Sequence, residues 1–329
     1  MPSRPHASGP VVALAGGVGA ARFLRGLVRV VPPRDVVAIV NTGDDRSFYG
    51  VHVSPDLDIV TYTLAGRVDP EKGYGLAGDS FAVVDALARF GHETWFRLGD
   101  RDLATCLHRT IALGEGAGLA AITDEIRRAL GVETRILPMS EDPCPTFVDL
   151  AGGRRVHFEE YLARDGAPDE VVGVDLSAAK QALPGPGVLE AIAGARAILV
   201  CPSNPVVSIG PILAVPGVQE AIAASQARTV AVSPIVAGAP VKGPADRLLR
   251  GIGVEVSARG VADSYRELID GFVLDERDAE QRAAIEELGL LRTRRVGKLR
   301  VAVTDTLMRS PEVAAGLARR ALELALACG

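Results

Sequence analysis

Five consecutive apolar residues, Val11-Val12-Ala13-Leu14-Ala15, run straight into Gly16-Gly17-Val18-Gly19, and this junction constrains the fold more than any other stretch. A continuous apolar run of that length fits a strand buried on both faces, the kind found in parallel sheets. The glycines turn the chain into a helical pattern with Phe23, Leu24, Leu27 and Val30 on one face. Pro32-Pro33 is expected to stop that helix, and Val36 to Val40 supplies a second strand. Later apolar runs repeat the theme: Ala197 to Val200, Thr229 to Val232, Gly271 to Leu274 and Leu299 to Val303. Alternating strand and helix predicts an α/β fold built on a Rossmann-like, mostly parallel sheet.

Two stretches depart from that alternation. Residues from about 56 to 130 read as helical and broken by glycines, which predicts a helical insertion. Residues from about 134 to 161 predict a small β-hairpin, with Thr146 to Leu150 and Arg155 to Phe158 flanking Gly152-Gly153. Residues 1–10 hold no apolar stretch of signal-peptide length and read as a disordered N-terminal extension, leaving 11–329 as a single domain. The net charge of -5 carries no polyanion-binding signature, so no nucleic acid partner is expected. Cys106, Cys144, Cys201 and Cys328 form no C-x-x-C, which argues against a zinc ribbon or a disulfide framework and suits the cytoplasm. No run approaches the ~18 apolar residues of a membrane helix, so a soluble chain with no membrane partner is expected.

In parallel sheets ligands sit beyond the carboxyl ends of the strands. Polar clusters follow four of the strand-like runs here: Gly16 to Gly19, Asn41-Thr42-Gly43-Asp44-Asp45, Pro202-Ser203-Asn204-Pro205 and Ser233-Pro234. The glycine loop lets backbone N–H groups and a helix N-terminus approach a phosphate. Gly17 and Gly19 fit the dinucleotide fingerprint, but its third glycine is replaced by Arg22, a residue able to grip phosphate as a planar fork. Asp44 lies 25 residues after Gly19, where a dehydrogenase places its ribose-binding acid. Asp44 and Asp45 equally suit a Mg²⁺ held against substrate phosphates, or a solvated turn.

Ser54-Pro55-Asp56-Leu57-Asp58 has a complete structural explanation as a helix start, with Ser as cap, Pro at the first position and acids in the first turn. With Asp44 and Asp45 it nevertheless gathers four carboxylates within 15 residues. They either diverge or share a cation. Leu98-Gly99-Asp100-Arg101-Asp102 reads as a surface turn, or as an arginine held between acids and aimed at substrate. The loops Pro202 to Pro205, with Ser208, and Ser233 to Pro244, with Lys242, offer rigid walls with polar groups for a base or ribose. His52, His92, His108 and His157 show no metal-binding spacing, and Trp95 with Phe96 suits core or an aromatic wall for a flat ring.

These segments in this order, together with Ala104-Thr105, Leu137-Pro138, Gly271 to Asp275 and Asp305-Thr306-Leu307-Met308, resemble the 2-phospho-L-lactate transferase / phosphoenolpyruvate transferase family of coenzyme F420 biosynthesis. The resemblance implies a transferase that moves a phosphoenolpyruvyl or 2-phospholactyl group from a guanosine-diphosphate carrier to 7,8-didemethyl-8-hydroxy-5-deazariboflavin, releasing GMP, with Mg²⁺ and as a homodimer. Carried onto this chain, Gly16, Gly17, Gly19 and Arg22 hold phosphate, and Asp44 and Asp56 bind metal. Asp45, Asp58 and Arg101 are implied to be catalytic, and those three with Asp100 to bind the acceptor. Ser203, Asn204, Ser208, Ser233 and Lys242 are implied to bind the nucleotide. Archaeal members more often carry Thr and Pro-Lys in the glycine loop, so Gly-Gly-Val-Gly-Ala-Ala-Arg favours the enolpyruvyl donor. Where relatives carry Trp ahead of Gly75, this chain has Tyr74, which puts one aromatic contact to the deazaflavin in question. Two other classes stay open: an NAD-dependent oxidoreductase, and a nucleotide-sugar-binding regulator of the gluconeogenesis-factor type.

Overall fold

In the computed structural model, which describes residues 9–289 and 298–327, β1 (Val11–Ala15) is buried along its whole length. The expected extension lies outside the described residues up to residue 8. Helix α1 (Gly17–Leu27) buries Ala20, Ala21, Phe23, Leu24 and Leu27, the face that the spacing predicts. It stops at Leu27 rather than at Pro32, so Val30 falls in the closing turn, where its N–H bonds the Leu27 carbonyl. β2 (Val36–Val40) then runs parallel beside β1, pairing Val11 with Val36 through Ala15 with Val40.

A hairpin absent from the sequence reading follows, β3 (Arg46–Phe48) and β4 (Val51–Val53). It turns on Tyr49 and Gly50, both at positive φ, the geometry that two-residue hairpin loops favour. The expected insertion comprises α2 (Pro55–Leu64), α3 (Ala82–Arg89), α4 (Asp100–Gly114) and α5 (Leu119–Ala129). β5 (Arg135–Pro138) returns to the sheet edge beside β2, an assignment that a run of four residues did not betray. The expected hairpin is β6 (Phe147–Leu150) with β7 (Arg154–His157), and β8 (Val171–Asp175) adds a third antiparallel strand on its far side.

The second half alternates as predicted: α6 (Val188–Ala193), β9 (Ala197–Val200), α7 (Gly210–Ala214), α8 (Val218–Ala224) and β10 (Arg228–Val232). Two short strands, β11 (Ile235–Val236) and β12 (Ala239–Pro240), precede α9 (Ala245–Gly251) and α10 (Ala258–Tyr265). β13 (Gly271–Asp275), α11 (Arg282–Glu287), β14 (Arg300–Thr304) and α12 (Pro311–Leu326) complete the chain. No single helix among the described residues is long and apolar enough to cross a membrane.

Seven strands form one parallel sheet in the order β14-β13-β10-β9-β1-β2-β5. Alternate residues feed two cores, Val12, Leu14, Ile39 and Ile198 on one face and Val11, Ala13, Ala38 and Leu199 on the other. The chain winds outward from β1 through β2 to β5, then starts again at β9 and winds the other way. The reversal lies between β1 and β9, and a crevice opens at their carboxyl ends. The glycine loop after β1 and the Pro202 to Pro205 loop after β9 form its two lips.

Candidate active site

That crevice leads into a cavity of about 680 Å³. Its first wall is the glycine loop. Gly17, at φ +70, starts α1, and its N–H donates to Asp56 Oδ1 at 2.8 Å, while the Gly16 N–H reaches Ser203 Oγ at 3.3 Å. A side chain at Gly19 would collide with the Pro202 carbonyl oxygen, 2.4 Å from where its Cβ would lie, so the two lips touch only because glycine is there. Arg22 and Lys242 line the same wall. Burial and then the Arg22 charge push the Lys242 ammonium below its ordinary range, and it sits over the Tyr74 ring, 5.3 Å away. Neither cation makes an ion pair among the described residues. Two like charges converging without a counter-ion form a wall suited to an anion.

Buried carboxylates adjoin the glycine loop. Asp44 and Asp56 are brought together as expected, at 4% and 5% exposure, and Glu159 joins them at 6%. Asn41 is wholly buried and orients the group: its Nδ2 donates to Asp56 Oδ2 at 2.9 Å and its Oδ1 accepts from the Gly43 N–H. Burial raises Asp56 to about 6 against the pull of the Asn41 and Gly17 bonds. Burial followed by the Asp56 charge raises Glu159 to about 7. Asp44 is pushed well up by burial, then by Asp56 and Glu159, and its Oδ1 is enclosed without a hydrogen-bond partner among the described residues. An orphaned carboxylate oxygen beside two strained carboxyls is the donor set that a hard divalent cation takes.

The other two members of the expected quartet diverge. Asp45 turns to the far side of its loop, where Oδ2 accepts from Ser54 Oγ at 2.7 Å and meets His52 Nε2 at 3.1 Å, beside a separate cavity of about 440 Å³. Ser54 therefore begins α2 without capping it through its side chain, contrary to the capping role expected from sequence. Asp58 does line the main cavity, but both its oxygens are held by Arg109 of α4, the largest fully buried side chain among the described residues.

Asp100 and Arg101 are not brought into the cavity. The Asp100 carboxylate accepts from Ser80 Oγ and the Ala82 and Val83 N–H groups, which caps α3. Arg101 is exposed and paired with neither flanking acid. Asp102, next along the same helix, lines the cavity instead and accepts from the Tyr62 hydroxyl at 2.8 Å. Sequence reasoning missed Asp102, Arg109, Tyr62 and Glu159. Asp102, Cys106 and Arg109 recur at helical spacing, which was the available signal for a polar face on α4 turned inward.

The nucleotide-side residues all line the cavity, although two are occupied locally. Asn204 Oδ1 caps the turn that follows by accepting from the Val206 and Val207 N–H groups. Ser233 Oγ donates to the Ile235 carbonyl. Aromatic rings line the same cavity, with Tyr62, Phe81, Trp95 and Phe96 on its wall. Phe96 stacks on Phe48 at 3.9 Å between ring centroids, and Trp95 meets the Phe48 edge at 5.2 Å.

Known proteins resemble this chain over most of its length. The family model described as 2-phospho-L-lactate transferase CofD matches residues 11–296. The chain is 45% identical over 321 residues to the phosphoenolpyruvate transferase of Kitasatospora aureofaciens, covering 96% of this chain and 97% of that protein. It is 38% identical over 309 residues to the 2-phospho-L-lactate transferase of Methanosarcina mazei, covering 94% and 98%. Among solved structures, protein BH3568 from Bacillus halodurans superposes with a TM-score of 0.57 at 21% identity, over 96% of this chain and all of that one, which speaks to the fold alone.

Proposed function

This chain belongs to the 2-phospho-L-lactate transferase CofD family, and from that premise we propose that its cavity joins a guanosine-diphosphate-linked donor to a deazariboflavin acceptor. Members of the family are transferases of a phosphorus-containing group in coenzyme F420 biosynthesis. The observation that carries the finer reading is that one cavity is lined by three kinds of surface: the glycine loop with the Arg22 and Lys242 cations, a cluster of buried carboxylates, and aromatic rings. A diphosphate suits the first, a divalent cation the second and a flat heteroaromatic ring the third.

In this reading the Gly16, Gly17 and Gly19 loop with Arg22 and Lys242 binds the diphosphate, and the lip from Ser203 through Ser208 with Ser233 holds the nucleoside. Asp44, Asp56 and Glu159 fit a Mg²⁺, which when bound neutralises charge on the phosphates. Asn41 keeps Asp56 aimed. The acceptor's terminal hydroxyl attacks the phosphorus carrying the enolpyruvyl group; the new O–P bond forms as the bond to GMP breaks, and the hydroxyl proton passes to a carboxylate of the cavity. Positioning supplies most of the acceleration. Identity of 45% to the Kitasatospora phosphoenolpyruvate transferase, against 38% to the Methanosarcina 2-phospho-L-lactate transferases, supports the enolpyruvyl donor, although the Nocardia farcinica phosphoenolpyruvate transferase also stands at 38%. A homodimer in the cytoplasm belongs to the same proposal, and light scattering is expected to give the mass of two chains.

The deciding experiment incubates the protein with 7,8-didemethyl-8-hydroxy-5-deazariboflavin, Mg²⁺ and each guanosine-diphosphate donor, and identifies products by mass spectrometry. A phosphoenolpyruvyl adduct with GMP release is expected. A folded protein that binds nucleotide yet forms no adduct with either donor would instead favour the nucleotide-sugar-binding regulator.

A further inference from the structure

Helices α2 and α4 contribute Asp58, Tyr62 and Asp102 to the cavity wall, and these polar groups are unevenly engaged. Asp58 gives both oxygens to Arg109, which also donates to the His52 carbonyl at 3.2 Å. Asp58, Asp102 and Cys106 bring ligand atoms within 4.8 Å of one another, but the Arg109 guanidinium already supplies the cation there. Asp102 differs from Asp58. Tyr62 holds its Oδ1, the backbone at Asp102 is pinned by Asp79 Oδ2 at 3.1 Å, and Oδ2 accepts no hydrogen bond from the described residues. The free oxygen belongs to a residue that lines the cavity beside Tyr62, Phe81 and Trp95.

We propose that Asp102 is the contact through which the helical insertion recognises the acceptor, its Oδ2 taking a hydrogen bond from a ring hydroxyl or ring N–H of a flat heteroaromatic while Tyr62 fixes Oδ1. The inference rests on the functional reading above, because the acceptor is the substrate that presents such a ring. It replaces the contact that the sequence assigned to Asp100 and Arg101.

A pH signature follows. Burial and then Asp58 raise the Asp102 carboxyl to about 7, with Tyr62 and Arg109 pulling it down and Asp79 adding to the rise. The groups facing it are thus Asp58 and Tyr62 from α2, Arg109 from α4 itself, and Asp79 ahead of α3; Cys106 is held as the thiol by burial. A ligand that donates to Oδ2 selects the carboxylate. The ionised fraction rises about tenfold between pH ~6 and ~8, so affinity for the acceptor rises by the same factor.

The test titrates the deazariboflavin alone, without donor, into wild-type protein, Asp102→Asn and Tyr62→Phe at both pH values, with GMP binding as the control for the nucleotide-side residues. Asp102→Asn is expected to bind the acceptor about tenfold more weakly at the higher pH and to lose the wild-type pH dependence beyond what the acceptor's own ionisation gives both proteins. GMP affinity stays unchanged, and in turnover KM for the acceptor rises while kcat holds. Tyr62→Phe is expected to show a smaller loss in the same direction. Wild-type affinity and an unaltered pH profile in Asp102→Asn, or no effect of Tyr62→Phe should Asp102→Asn not fold, would overturn the inference and leave the functional reading standing. A wild-type protein that binds no deazariboflavin would remove both.

Discussion

Replacing Arg109 by Met keeps the length of the buried stem and deletes the guanidinium. The Asp58 side chain, 7% exposed, then loses the cation bonded to both its oxygens, and the His52 carbonyl loses a donor. Breaking one partner out of a buried pair costs about 3–5 kcal/mol, because the remaining charge stays in the low-dielectric interior. Against a total stability of about 5–15 kcal/mol for a domain, that loss is large enough to measure without ambiguity. Trp95, the single tryptophan, packs on Phe48 next to this helix and gives a fluorescence signal for urea unfolding at neutral pH, with far-UV circular dichroism as a global check. The decisive comparison adds Asp58→Asn to Arg109→Met. Removing both charges is expected to recover most of the loss, since the desolvation cost of Asp58 goes with its charge. A single mutant less than about 1 kcal/mol below wild type, or a double mutant no better than the single, would refute the view that this pair ties α4 to α2 electrostatically.

Other expectations follow from the same geometry. Asp56→Asn is expected to abolish transfer while the protein still folds, because the amide keeps the shape but not the charge between Gly17 and Asn41; unaltered turnover would remove Asp56 from the site. Arg22→Ala and Lys242→Ala should each weaken GMP-linked donor binding and leave acceptor binding alone, as equilibrium dialysis with each ligand would reveal. Gly19→Ala forces a methyl into the Pro202 carbonyl and should lower nucleotide affinity at least tenfold; a wild-type value would show that the two lips can part freely. Asp56 at about 6 and Glu159 at about 7 both lie above their unfolded values near 4. The folded state therefore holds protons that the unfolded chain has released, and metal-free stability falls as pH rises from about 4 to about 7. Mg²⁺ removes that strain, so it should raise the melting temperature more at pH ~8 than at pH ~5, and an equal or absent gain would exclude these carboxylates as its ligands.

The parallel sheet was legible because β1, β2, β9, β10 and β13 are buried on both faces, and such strands have to be apolar throughout. β5 was not, since Arg135 opens it and four residues carry no period of their own. β8 escaped for a related reason: half-exposed Val171 to Asp175 reads as neither buried run nor clean alternation. At the site, the glycine loop was legible because backbone conformation demands glycine there. The crowding of acids was legible but not their orientations, which depend on partners distant in sequence, such as Arg109, 51 residues from Asp58, and Asp79, 23 residues from the Asp102 backbone that it holds. Glu159 gave no signal at all, because a Glu-Glu pair after a hairpin strand is ordinary until the fold carries its first member to Asp44 and Asp56.

Asp100 caps α3, and Asp79, just ahead of α3, accepts from the Arg101 and Asp102 N–H groups at the start of α4. Each helix thus carries the other's N-terminal acceptor, and Gly99 leaves room for the exchange by lacking the Cβ that would meet Asp79 Oδ2 at 2.2 Å. Neither helix can fray at its start without stripping acceptors from its neighbour. The two ends form a single cooperative unit, and the amides of Ala82, Val83, Arg101 and Asp102 should exchange with solvent through one shared opening, though two of them sit 18 or more residues from the others. A wall of the cavity built this way moves as a whole or stays shut.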